Sequence, residues 1–260
     1  MSATTSLTAL LGGAGLDDSA TTAMQLVVED VGMAIQAGLG DIDIDDISTS
    51  EVVLVTLLID DSGSIRMGSN AQLVREGHNL VLNALKGAKA SAGVLIGCQY
   101  LDGTVLYPYV TLDNAVEMTT GNYNPNGGTP LYDRTSDVLV TVTAKMAEFE
   151  QGGVAARAIT VIITDGADCH SHRQTAASVR MLVEALTRTE QHITATVGID
   201  DGYTDFRQIF GDMGVPNEWI LTPGNSASEI RAAFHTISQS AIRASQVATF
   251  SQTAMGGFGG

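Results

Sequence analysis

The stretch Val52–Ser64, VVLVTLLIDDSGS, constrains the fold of this chain more than any other. From Val52 to Ile59 only Thr56 is polar, and Val, Leu and Ile fill the rest, the composition of a central strand covered on both faces. The run then ends abruptly in Asp60, Ser62 and Ser64. These are alternate positions of an extended segment, so their oxygens can converge on one side of a loop, where open α/β sheets bind their ligands. Hard oxygen donors crowded at such a place suggest a hard divalent cation.

A second run, Arg157–Thr164 (RAITVIIT), repeats the logic and stops at Asp165-Gly166. Between and after these two strands the apolar spacing alternates. A helix is expected from Gly68–Asn70 to about Lys89. Strands over Ala92–Leu101 and Thr104–Val110 follow, joined by an Asp102–Gly103 hairpin turn. Thr111–Gly128 has no periodicity and reads as a long functional loop. Thr129-Pro130 opens a helix that runs through Met146. A helix over Arg173–Glu190, a strand over His192–Gly198, a helix over Asp205–Met213, a strand over Glu218–Leu221 and a helix over Ser226–Arg243 complete the pattern. The fold class is α/β: a doubly wound, mostly parallel six-stranded sheet with one antiparallel edge strand and helices on both faces.

Three regions result. Residues 1–49 form an N-terminal arm, 50–243 the principal domain and 244–260 a flexible, glycine-rich tail. Residues 1–16 are small, polar and glycine-rich, and are expected to be a mobile arm. Asp17–Ser19 can cap an amphipathic helix carrying Met24, Val27, Val28, Val31 and Ile35, a stripe that suits packing on the parent domain better than docking a partner. The acidic Asp41–Asp46 reads as a linker or a charged edge strand. Thirteen basic and twenty-nine acidic residues give a net charge of −16, which repels nucleic acid and anionic membrane. With no basic n-region ahead of a long apolar segment and only two cysteines, Cys98 and Cys169, the chain reads as a cytoplasmic protein with reduced thiols.

The D-x-S-x-S of Asp60–Ser64, the GGTPL of Gly127–Leu131 and the TDG of Thr164–Gly166 together resemble the von Willebrand factor type A (VWA) domain and its metal-ion-dependent adhesion site, over roughly residues 50–243. The resemblance implies a Rossmann-like sheet and a Mg2+ ion, with Mn2+ or Ca2+ as alternatives. It makes Asp60, Ser62, Ser64, Thr129 and Asp165 the coordinating residues, some of them through water. It also implies a protein partner that contributes an Asp or Glu to the metal. The segments GGTPLYD and FRQIFGDMGV are similar to bacterial intracellular members of the tellurium-resistance and MoxR-associated kinds. That similarity implies a stress-response adaptor with a MoxR-type AAA+ ATPase, or a kinase or phosphatase, as partner.

Other groups are given plainer readings. Strand alternation turns Asp61 away from Asp60, leaving it a solvated or neighbouring-loop charge. Asp168, Cys169, His170 and His172 match no zinc-ligand spacing and read as a solvated surface loop, so removing both histidines is expected to leave Mg2+ binding unchanged. No GxSxG elbow, Walker loop or strand-linked GxGxxG is present, so the chain is not expected to be an enzyme. The alternatives are a scaffold subunit with a stabilising or vestigial metal site and, less favoured because no motif supplies a phosphate-binding Lys or Arg, a metal-assisted phosphohydrolase.

Overall fold

Six strands hydrogen-bond into one sheet in the order β3-β2-β1-β4-β5-β6. They are β1 (Glu51–Ile59), β2 (Val94–Tyr100), β3 (Val105–Thr111), β4 (Ala155–Thr164), β5 (His192–Gly198) and β6 (Ile220–Leu221). The computed structural model describes residues 3–42, 44–66, 69–88, 93–246 and 256–258. Every pairing is parallel except β2–β3, which is antiparallel and places β3 at one edge. The turn between them needs Gly103, whose φ is +95°, and Asp102 Oδ1 braces it by accepting the Thr104 N–H at 2.6 Å.

The chain leaves β1 toward β2 on one side and reaches β4 on the other. The strand order therefore reverses between β1 and β4, and a crevice opens at their carboxyl ends. In-register pairing of Ile59 with Ile163 sets Asp60 beside Thr164. Both faces of β1 are covered, as its unbroken apolar run requires: all of Val52–Ile59 is buried. Val52 and Leu54 meet Val142, Met146 and Phe149 of α4 (Leu131–Gln151). On the opposite face, α3 (Asn70–Lys86) packs against α7 (Ala227–Gln246), while α5 (Ala176–Arg188) lies beside α4 and α6 (Phe206–Asp212) beside α5. Among the described residues no helix is long and apolar enough to cross a membrane.

Some boundaries differ from expectation. Pro130 is the N-cap of α4 rather than its first helical residue, and α5 starts at Ala176 rather than Arg173. Gly68, Lys89 and Ala92, named at element ends above, lie outside the described residues.

Residues 3–16 are not a mobile arm, and residues 1 and 2 lie outside the described residues. They include α1 (Ala3–Gly12), and Leu7 and Leu11 are only 1% and 0% exposed within the main core. Leu7 and Leu11, one helical turn apart, lie on one side of this short helix, which packs against α2 (Asp18–Leu39). Helix α2 is capped by Asp17, whose Oδ1 accepts the Ala20 N–H at 2.9 Å, and buries Met24, Val27, Val28 and Ile35 against the same body. The acidic segment after it is no strand: Ile44–Asp46 form one 3₁₀ turn, and the Ile42 carbonyl accepts from buried Lys145 Nζ at 2.7 Å. Asp43 lies outside the described residues. Of the glycine-rich tail, only 256–258 are described beyond Gln246, and Gly257 and Phe258 are packed: Phe258 stacks edge-on against Trp219 at 5.3 Å and donates its N–H to the Glu218 carbonyl.

Candidate metal centre

The ladder between β1 and β4 fixes the first group, since Asp60 N–H donates to the Ile163 carbonyl at 2.8 Å. Its carboxylate is fully buried and held at both oxygens: Oδ1 accepts the Ser62 N–H at 2.7 Å and Oδ2 accepts the Thr164 hydroxyl at 2.5 Å. The Tyr123 hydroxyl, from the long loop, donates to the Asp60 carbonyl at 2.5 Å. After Asp60 the chain tightens into the 3₁₀ turn Gly63–Arg66, which swings Ser64 back toward Ser62. Their hydroxyls are 2.9 Å apart, and Ser64 Oγ donates to Asp165 Oδ1 at 2.7 Å. Four of the five sequence-predicted groups thus form one continuous array of oxygens at the strand-order reversal.

Thr129 reaches the same place from the long loop. That loop is fastened to the first by Gly63 N–H to the Gly127 carbonyl at 3.1 Å, and by Asn126 and Gly127 N–H to the Asp61 carbonyl. The Thr129 side chain is 5% exposed, and its Oγ1 stands 3.9 Å from where a Cβ on Gly166 would lie, facing the tip that carries Asp165. Among the described residues that hydroxyl is hydrogen-bonded to nothing, although the Thr129 backbone is bonded at both N–H and C=O.

The electrostatics favour a cation. Burial raises the Asp60 carboxyl above its ordinary range. Burial also pushes Asp165 up to about 6, with repulsion from Asp60 and Asp201 adding to it and the Ser64 hydroxyl opposing. Among the described residues neither carboxylate is ion-paired with a Lys or Arg. Two carboxylates and three hydroxyls form a hard, all-oxygen donor set that fits Mg2+, which keeps waters in its octahedral shell. Among the described residues no three His, Cys, Asp or Glu side chains gather into a metal cluster, so a site here depends on its hydroxyls.

Two expectations change. Asp61 is a neighbouring-loop charge but not a solvated one: it is 6% exposed, its Oδ1 accepts the Asp102 N–H at 3.0 Å, and burial with the adjacent Asp102 pushes it up to about 7. The segment 168–172 is exposed at Cys169, His170 and His172, yet its polar atoms are tied to the start of α4 rather than left to solvent. Asp168 Oδ1 accepts the Tyr132 N–H at 3.2 Å and Ser171 Oγ the Asp133 N–H at 3.0 Å. His170 Nδ1 accepts the Thr129 N–H at 2.9 Å. Pro130 offers α4 no side-chain cap, so Asp168 and Ser171 supply the missing acceptors from some forty positions away, and His170 holds the residue just before the cap. The local signal was a polar, histidine-containing stretch following TDG, which does not reveal what it caps.

No family model matches the sequence, and no curated protein matches it significantly. The backbone does resemble solved structures. It aligns with a von Willebrand factor type A protein from Catenulispora acidiphila at a TM-score of 0.54 and 14% identity, over 74% of this chain and 43% of that one. The fold is the VWA fold. The pilus adhesin SpaC from Lactobacillus rhamnosus GG, in its open conformation, gives a TM-score of 0.56 at 16% identity, over 76% of this chain and 31% of that one. Proximal thread matrix protein 1 from the mussel byssus gives 0.50 at 14% identity, over 72% and 47%. The chain spans less than half the length of each of these structures, and at such identities the likeness is one of VWA fold alone.

Proposed function

We propose that this VWA-fold chain is a protein-interaction module, in which Asp60, Ser62, Ser64, Thr129 and Asp165 hold Mg2+ and the metal takes an Asp or Glu of a partner. The observation that carries the reading is the oxygen array Ser62–Ser64–Asp165, continued by Asp60, at the β1–β4 reversal, to which no basic side chain among the described residues is paired. A bound Mg2+ supplies an electrophilic centre with a position open to an external carboxylate. The chain's own residues do the rest. Thr164 and the Ser62 N–H orient Asp60, Ser64 links the first loop to Asp165, and Thr129 keeps a free hydroxyl toward the same point. With both Asp60 oxygens engaged, the site reads as binding rather than catalytic. Within this reading the partner class is the one the sequence resemblance implies, an AAA+ ATPase of the MoxR type or a kinase or phosphatase.

Binding of Mg2+ by calorimetry, followed by affinity capture in Mg2+ and in EDTA, tests this. The reading expects heat on Mg2+ addition that is lost in Asp60→Ala and Asp165→Ala, and a partner retained only with both metal and aspartates. A partner kept in EDTA and by both variants places the interface elsewhere.

A further inference from the structure

The segment Asp168–Gln174 contributes none of the five candidate ligands, yet it is the wall against which one of them stands. Thr129 donates its N–H to His170 Nδ1 at 2.9 Å and accepts the Cys169 N–H at its carbonyl at 3.1 Å. The preceding Gly128 lies so near the His170 ring that a Cβ there would be 2.7 Å from Cγ and Nδ1, so glycine permits this approach and a larger residue does not. An Nδ1 that accepts a backbone N–H carries its lone pair there, which assigns the ring's other nitrogen as the protonated one in the neutral form. The contact is reinforced on the far side of the loop. The Asp133 carboxylate, 6% exposed, accepts the N–H groups of His172, Arg173 and Gln174 at 3.1, 3.1 and 2.7 Å. The loop and the first turn of α4 are therefore one hydrogen-bonded unit. Asp165 lies three residues before it and Thr129 just ahead of the helix.

We infer that His170 is a positioning residue of the metal centre, fixing the Thr129 backbone so that its free hydroxyl stays directed at the Asp165–Gly166 tip. The inference rests on the metal-centre reading and extends it to a residue that touches no metal. His170 is exposed, so its removal leaves no core cavity and the consequence falls on the site rather than on the fold.

The test is Mn2+ binding to the full chain, followed by the loss of the free-ion paramagnetic resonance signal, for the wild type, His170→Ala, His170→Asn, Thr129→Ala and the Thr129→Ala/His170→Ala pair. His170→Ala is expected to weaken Mn2+ binding about tenfold, the usual size of a lost outer-shell support, and His170→Asn, whose Oδ1 can replace Nδ1 as acceptor, no more than about threefold. In the Thr129→Ala background His170→Ala is expected to have no further effect, because the two act through one hydroxyl. Melting temperatures in EDTA are expected to stay within about 2 °C of wild type for His170→Ala. Wild-type affinity in His170→Ala, or a full additional loss in the double variant, overturns the inference while leaving the metal centre standing. A wild type that binds no Mn2+ removes the metal centre and the inference together.

Discussion

Ser64 Oγ lies 2.7 Å from Asp165 Oδ1, although 101 positions separate the two residues in the chain. The contact follows from register: β1 and β4 are parallel and paired up to Ile59–Ile163, so the residues just past each strand emerge together at the reversal of strand order. A bond of this kind joins the two loops across the place where the metal is proposed to sit. If the site holds Mg2+, the ion is linked to folding, and at about 100 times its Kd it adds about 2.7 kcal/mol. That corresponds to a rise of roughly 5–10 °C in Tm for a chain of this size. Asp60→Ala is expected to abolish the Mg2+-dependent rise in a thermal scan and Ser64→Ala to reduce it. An unchanged rise in Asp60→Ala would place the ion elsewhere.

Asp165→Asn has opposite effects with and without metal. The folded-state carboxyl is pushed up to about 6 from 3.8, so the native protein holds this proton more tightly than the unfolded chain. The associated stability is fully present below about 3.8 and is lost as pH rises through about 6. At pH 8 in EDTA the ionised, buried carboxylate is then a liability of at most about 3 kcal/mol, since each tenfold displacement of the proton equilibrium is worth about 1.4 kcal/mol. Asn removes it, so the variant is expected to be the more stable protein at pH 8, with the advantage vanishing near pH 4. The comparison with wild type at each pH in urea titrations matters, because His192, pushed down to about 3 by burial, destabilises both proteins alike on acidification. In saturating Mg2+ the order is expected to reverse.

What was legible in the sequence, and what was not, divides along a physical line. Val52–Ile59 and Arg157–Thr164 could be read because a strand covered on both faces must be apolar at every position, and the acids and hydroxyls at their ends contrast with that run. From those strands the proximity of Asp60 to Asp165 follows, and the antiparallel edge follows from the Asp102–Gly103 turn between the next two strands. The role of 168–174 could not be read, because Asp168 and Ser171 serve acceptor needs of a helix some forty residues earlier and His170 those of the residue leading into it, and nothing in a polar loop names its partner. Phe258 was obscured in the same way: one aromatic among glycines looks like a loose tail until Trp219 is placed beside it.

Helix α1 illustrates the limit most directly, since its place in the core rests on Leu7 and Leu11 within a segment made mostly of small and polar residues. Leu11 is fully buried, so Leu11→Ala is expected to cost about 2–5 kcal/mol in urea unfolding, the range for a buried leucine whose cavity collapses incompletely. A mobile arm would show no change. The measurement thus decides between a helix that belongs to the folded body and one that merely rests on it.

Two helical glycines are expected to respond to alanine with opposite signs. At Gly77 in α3 an added Cβ would stand 2.2 Å from the Phe234 ring of α7, and Phe234 is 1% exposed. Replacing glycine in a helix gains up to about 1 kcal/mol of propensity. Overpacking a filled core costs about 1–3 kcal/mol, so the clash outweighs the gain and Gly77→Ala is expected to destabilise. At Gly211 in α6 nothing lies within 4 Å of the added Cβ, so helix propensity acts alone and Gly211→Ala is expected to stabilise by up to about 1 kcal/mol. Urea midpoints of the two variants, measured at equal m-value, test both the closeness of the α3–α7 seam and the openness of α6. A stabilised Gly77→Ala would mean that α7 yields to α3 more readily than the burial of Phe234 implies.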